Sequence, residues 1–180
     1  MRLPPTSGAS RSRALVDKEA GNTQWQRDLS ISLRKIGDIE LQDGHPPAAL
    51  AAYEEGLAIA RRLAAQDHGN AQAQRDVLIG LNKLGDAKLR GGDTAGALAA
   101  YQESLDLARK LAALSQDDAQ AQTDLVVGLF KVSRLVDPQQ ARALLIEAVA
   151  IVERLEQEHK LTEAQKDWPN LVRTTLSKLP

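Results

Sequence analysis

One stretch recurs along the chain at a spacing of 48 residues. Its clearest copy contains Leu81-Asn82-Lys83-Leu84-Gly85-Asp86, a Gly91-Gly92-Asp93 turn and Ala97-Leu98-Ala99-Ala100-Tyr101. The earlier copy reads Leu33-Arg34-Lys35-Ile36-Gly37-Asp38, Asp43-Gly44 and Ala49-Leu50-Ala51-Ala52-Tyr53, and a weaker third copy begins at Ala121-Gln122-Thr123-Asp124. A fixed period of this size marks a solenoid, in which each unit buries its apolar face mainly against its neighbours.

Within each copy the apolar residues follow helical spacing. Trp25, Leu29, Leu33 and Ile36 form one stripe, and Leu50, Tyr53, Leu57, Ala60 and Leu63 form the next. Asn22 and Asn70 suit helix N-caps, because the side-chain oxygen accepts an orphan N–H of the first turn. Pro46, Pro47 and Pro138 fit the first turn, where a missing N–H costs nothing. Gly44 and Gly91-Gly92 suit helix stops. The expected helices cover 23–43, 46–66, 71–91, 94–115, 119–136 and 138–159. A further helix is expected from Thr162, with Pro169 kinking it or delaying its start. Trp168, Leu171, Val172, Thr175 and Leu179 would then cover the last pair.

The organisation expected is a flexible 1–10, a partial repeat or capping helix at 11–21, repeats at 22–69, 70–118 and 119–160, and a C-terminal capping helix at 161–180. The partial repeat rests on Arg13, Leu15, Gly21 and Asn22, which stand 48 residues before Arg61, Leu63, Gly69 and Asn70. Leu15 and Val16 would fold onto Trp25 and Leu29. Otherwise the first helix keeps an apolar end face, and any oligomer uses such an end face.

Composition narrows the function classes. Charged residues make up 26 % with a net charge of −1, and aromatics only 3 %. Phosphate-backbone binding calls for a basic excess, and single-strand binding for stacking platforms, so no nucleic-acid partner is expected. The absence of Cys excludes disulfides, thiolate metal sites and Cys nucleophiles, and fits a cytoplasmic protein. No apolar run approaches the ~20 residues of a membrane span. His45, His68 and His159 fall in or near separate turns. Gly91-Gly92 lacks the Lys-Ser/Thr of a phosphate loop. Neither an enzyme nor a cofactor or metal is expected.

These residues resemble the tetratricopeptide repeat. Its pattern of an apolar residue, Leu-Gly, a turn Gly, a small residue, an aromatic and a second small residue is met by Leu33, Ile36-Gly37, Gly44, Ala49, Tyr53 and Gly56. The second copy supplies Leu81, Leu84-Gly85, Gly92, Ala97, Tyr101 and Ser104; the third departs at Val132, Ser133 and Leu145. The family period is about 34 residues. The surplus of 14 divides into about two helical turns per helix, which leaves the direction of each apolar stripe unchanged. The resemblance implies an all-α solenoid of three long antiparallel helix pairs with a terminal helix. It further implies a concave surface lined by the first helix of each pair.

Mapped onto that surface are Arg27, Ile31, Arg34 and Asp38, then Arg75, Ile79, Asn82 and Asp86, then Val127, Phe130 and Arg134, with Thr123 on the same ridge. They would form a groove for an extended or helical segment of a protein or peptide partner, with Phe130 as its aromatic anchor. The alternative is that Ile31, Ile79 and Val127 are buried by the lengthened second helices and that Arg34 and Asp38 form an exposed i,i+4 pair. Asp38 and Asp86 would repel a terminal carboxylate, which argues against the chaperone-tail receptors of the family. The recurring Gln-Arg-Asp (26–28, 74–76) follows the packing pattern and suggests a structural role. A rival reading makes the chain an assembly element of a larger signalling protein, stacking through array ends.

Overall fold

The computed structural model describes residues 22–180. Over that range the chain folds into α1 Thr23–Gln42, α2 Pro46–Gln66, α3 Ala71–Arg90, α4 Thr94–Leu114, α5 Ala119–Ser133, α6 Pro138–Gln157 and α7 Trp168–Ser177, with a 3-10 turn Glu163–Gln165 before α7. Consecutive helices pack against each other from α1 through α7. The result is an all-α solenoid of three antiparallel pairs, closed on α6 by α7. The helix expected at 11–20 and the contacts of Leu15 and Val16 lie outside the described residues.

The helix starts follow from side-chain chemistry. Asn22 accepts from the N–H of Gln24 and Trp25, Asn70 from Ala73, Asp93 from Gly96, Asp118 from Gln120, and Asp137 from Gln140. Each cap is worth about 1 kcal/mol. Gly44 and Gly92 follow the ends of α1 and α3 with φ of +80° and +87°, a left-handed backbone that side chains resist.

The first two pairs are each locked by an aromatic knob. Tyr53 and Tyr101 are buried. Their rings lie so close to Gly37 and Gly85 that an added Cβ would stand 2.6 Å from Cδ1 of either ring. Only a residue without Cβ permits that approach. In the third pair Ser133 takes the glycine position and Leu145 the aromatic one, so a smaller knob accompanies a larger floor; both residues are buried. The pairs are also tied by hydroxyls. Ser30 of α1 donates to the Gly56 carbonyl at 2.9 Å, and Ser104 of α4 donates to the Leu78 carbonyl at 3.2 Å. These are the same two positions with the donor exchanged.

Three expectations are corrected. Trp25 and Ile36 are about half exposed, because no described helix precedes α1 to cover the stripe. α5 ends at Ser133, three residues before the expected 136, as the shortened connection turns directly into Asp137-Pro138. Of the residues expected to cover the last pair, Val172 is buried but Leu171 is half exposed; the C-terminal helix itself has the delayed start expected of Pro169, beginning at Trp168 after the 3-10 turn capped by Thr162.

Candidate interaction surface

The first helices α1, α3 and α5 are joined by two sets of charge pairs. Near their N-termini an arginine of one repeat reaches the aspartate of the next. Arg27 Nε donates to Asp76 at 2.6 Å, and Arg75 Nη2 to Asp124 at 3.1 Å. Gln72 and Gln120 hold these carboxylates from one turn earlier, at 3.2 and 3.0 Å. Near the C-termini the polarity reverses. Lys83 donates to Asp38 at 2.7 Å, and Lys131 to Asp86. Asp76 and Asp124 are buried, whereas Arg27 and Arg75 keep about a third of their side chains exposed, so solvent screens these two pairs in part. Their hydrogen bonds raise the affinity of Arg27 and Arg75 for their protons.

The same carboxylates orient the knobs. The Tyr53 hydroxyl donates to Asp38 at 2.7 Å, and Tyr101 to Asp86 at 2.6 Å. Burial first, then these hydrogen bonds, push both phenols well above their ordinary range. For Asp38, burial pushes upward, but the bonds from Lys83 and Tyr53 outweigh it and hold the carboxyl below its usual value. The Lys131 ammonium stands 4.9 Å from the Tyr101 ring centroid, within cation–π range.

A cleft of about 540 Å3 opens over this region, between the C-terminal halves of α1, α3 and α5. Asp38, Asp86, Lys83, Lys131, Arg90 and Arg134 line it, along with Leu41, Leu89, Leu135 and both tyrosines. The two carboxylates are each neutralised by a lysine. Among the described residues, the side chain of Arg90 bonds the Leu41 carbonyl, at 3.1 Å, and no carboxylate. Arg134 stands where the first two repeats carry Asp38 and Asp86, and is exposed. The cleft therefore carries a surplus of two positive charges.

The structure brings many of the expected groove residues together, but engages most of them internally. Arg27, Arg75, Asp38 and Asp86 are members of the pairs just described. Arg34 does not pair with Asp38; it turns toward Asp76 at 3.9 Å, and burial weakens its hold on its proton. Asn82 is buried, and Ile31, Ile79, Val127 and Phe130 are half-buried; Ile79 and Phe130 pack against the main core cluster. Phe130 thus forms part of the wall, packed against the core. Thr123, on the ridge position of Arg27 and Arg75, is buried. Asp38 and Asp86 are not bare acids, which removes the repulsion expected of them. Among the described residues, Arg134 is the expected charged groove residue that makes no ion pair.

Sequence reasoning gave Asp76 a structural role within the Gln-Arg-Asp repeat without naming its partner, and overlooked Lys83, Lys131, Asp124 and Arg90. The signal was present, because Lys35, Lys83 and Lys131 stand at the repeat spacing, as do Asp28, Asp76 and Asp124. Their pairing joins residues 45 or 49 apart, and that offset is readable only once first helices are known to lie side by side.

The histidines do not converge. His45 faces Glu40, His68 the Ala64 carbonyl, and His159 sits in a turn with φ of 55°. Among the described residues no cluster of three His, Cys, Asp or Glu could hold a metal, and no helix is long and apolar enough to cross a membrane. No family model matches the sequence, and no curated protein matches it. Among solved structures the chain is similar to a DHF58 filament, at 18 % identity and a TM-score of 0.43, over 87 % of this chain and 80 % of that one.

Proposed function

We propose that the chain is a cytoplasmic, non-catalytic protein–protein recognition scaffold of tetratricopeptide type. It holds a segment of a partner against its concave side. The observation that carries this reading is the surplus charge of the cleft: four cations surround two carboxylates that already have their own lysines. An extended segment bearing Asp or Glu side chains complements such a surface. Leu41, Leu89 and Leu135 offer apolar contact beside the charges.

The test is a display library of extended peptides selected on the intact protein, followed by anisotropy titrations. Acidic segments are expected to be enriched. Their affinity falls with added salt, and falls at least about tenfold on Arg134→Glu, the loss of one charge-assisted contact and its reversal. Phe130→Ala reports on the neighbouring wall. Enrichment of neutral or basic segments, or unchanged binding by Arg134→Glu, refutes the reading.

The rival role, assembly through array ends, draws support from the exposed apolar face of α1, where Trp25, Ile36 and Ile39 meet solvent.

A further inference from the structure

That face has a composition that can be read against its own interior copy. Trp25, Ile36 and Ile39 are 48, 49 and 58 % exposed. Forty-eight residues on, their counterparts Ala73, Leu84 and Ala87 pack with α2 and its surroundings. The charged flank is repeated as well. Asp28 and Lys35 occupy the positions of Asp76 and Lys83. Gln24 donates to Asp28 at 2.8 Å, just as Gln72 and Gln120 brace the interior aspartates. In the interior the remaining side of each carboxylate takes an arginine. On α1 that seat is braced but holds no arginine, and Lys35 makes no ion pair among the described residues.

We infer that the outer face of α1 docks one further helix pair of this repeat type, whose first helix presents an arginine to Asp28 and an aspartate to Lys35. Its second helix covers the stripe from Trp25 to Ile39. Residues 11–21 match only the end of a second helix and contain no counterpart of Arg27 or Asp38. The last repeat of another copy cannot serve head to tail, because Thr123 and Arg134 stand where the arginine and aspartate are needed. The occupant is therefore a repeat with the charges of the first or second unit.

The experiment inserts a duplicate of residues 22–69 between Gly21 and Asn22 of the full chain, which places the duplicate's Arg27 and Asp38 opposite Asp28 and Lys35. Hydrogen exchange of the original α1 amides is expected to slow about tenfold or more, toward the rates of α3. Arg27→Glu in the duplicate removes the gain, and Asp28→Arg in the original helix restores it. Unchanged α1 exchange, or equal protection by the reversed-charge variant, overturns the inference. A second measurement needs no insertion: Ile36→Glu with Ile39→Glu in the unextended chain leaves the urea midpoint unchanged. A lowered midpoint in dilute solution means that the chain's own N-terminal residues already close the face. One lowered only at high concentration means that a second copy does. Either result overturns the proposal.

Discussion

Gly85→Ala tests whether the aromatic knob sets the spacing of the second helix pair. Two effects oppose each other. In a helix interior alanine gains about 1 kcal/mol over glycine. Against this, the new Cβ would stand 2.6 Å from Tyr101 Cδ1 and 2.9 Å from Cζ. The ring cannot tilt away freely, since its hydroxyl is bonded to Asp86 at 2.6 Å. Overpacking of this kind costs about 1–3 kcal/mol, and the tether argues for the upper part of that range. The net expectation is a loss of about 1–2 kcal/mol, read as a lowered urea midpoint with an unchanged slope. The sign should reverse without the ring. Tyr101→Ala by itself costs about 3–5 kcal/mol, the scale of deleting a buried large aromatic. In that background Gly85→Ala should stabilise by about 1 kcal/mol, giving a coupling of about 2–3 kcal/mol in the double-mutant cycle. Gly80→Ala is the internal control, because its Cβ would meet the flexible Leu57 Cδ1 at 3.1 Å, and it should be near neutral. Equal effects of Gly85→Ala in both backgrounds would refute the reasoning.

Asp124→Ala leaves the Arg75 guanidinium without its partner; with Arg75 still 29 % exposed, the loss should be about 1–2 kcal/mol, below the full cost of breaking a buried pair. Arg61→Ala, which removes the solvent-exposed pair with Glu103, should change stability by less than about 0.5 kcal/mol in the same denaturation assay. The carboxyl of Asp38 is held below its ordinary pKa in the fold, so its contribution is present above about pH 4 and is lost as pH falls through the depressed value. The stability gap between wild type and Asp38→Asn should therefore narrow from pH 5 toward about pH 2; a gap that widens on acidification contradicts the assignment. Both tyrosines of the chain are the buried ones, with raised phenol pKa values, so they favour the fold until pH rises past the unfolded value of about 10. Phenolate absorbance should stay low at pH 10 in the folded protein and appear together with loss of helix; a titration near pH 10 without unfolding would contradict their burial.

The helices were legible because the local signals agree with the packing. Asn22 and Asn70 cap where their side chains suggested, and the stripe Tyr53, Leu57, Ala60 and Leu63 is buried as its spacing required. The stripe of α1 was read correctly as apolar but not as exposed, since exposure depends on what lies beside a helix and not on its own period. The groove was less legible. Arg34 and Asp38 satisfy the i,i+4 rule, yet each finds a partner on α3, because the neighbouring repeat offers Asp76 and Lys83. Periodicity assigns a residue to a face, but the competing partner on the adjacent helix lies 42 or 45 positions away and leaves no local trace.

The reversed polarity of the two sets of pairs carries orientation information. At the junction of α1 and α3, positive meets negative at one end, Arg27 with Asp76, and negative meets positive at the other, Asp38 with Lys83. A repeat docked upside down would bring Arg27 toward Lys83 and Asp38 toward Asp76, like charge against like at both ends. Near-identical units are prone to misassembly during folding. Their apolar stripes, rich in Ala and Leu, discriminate poorly between one direction and the other. The charges supply the missing penalty against the inverted arrangement. They impose none on skipping a unit, because Arg27 would meet Asp124 as readily as Asp76. The pairs thus act as a directional key that fixes which way each unit faces and leaves the number of units free.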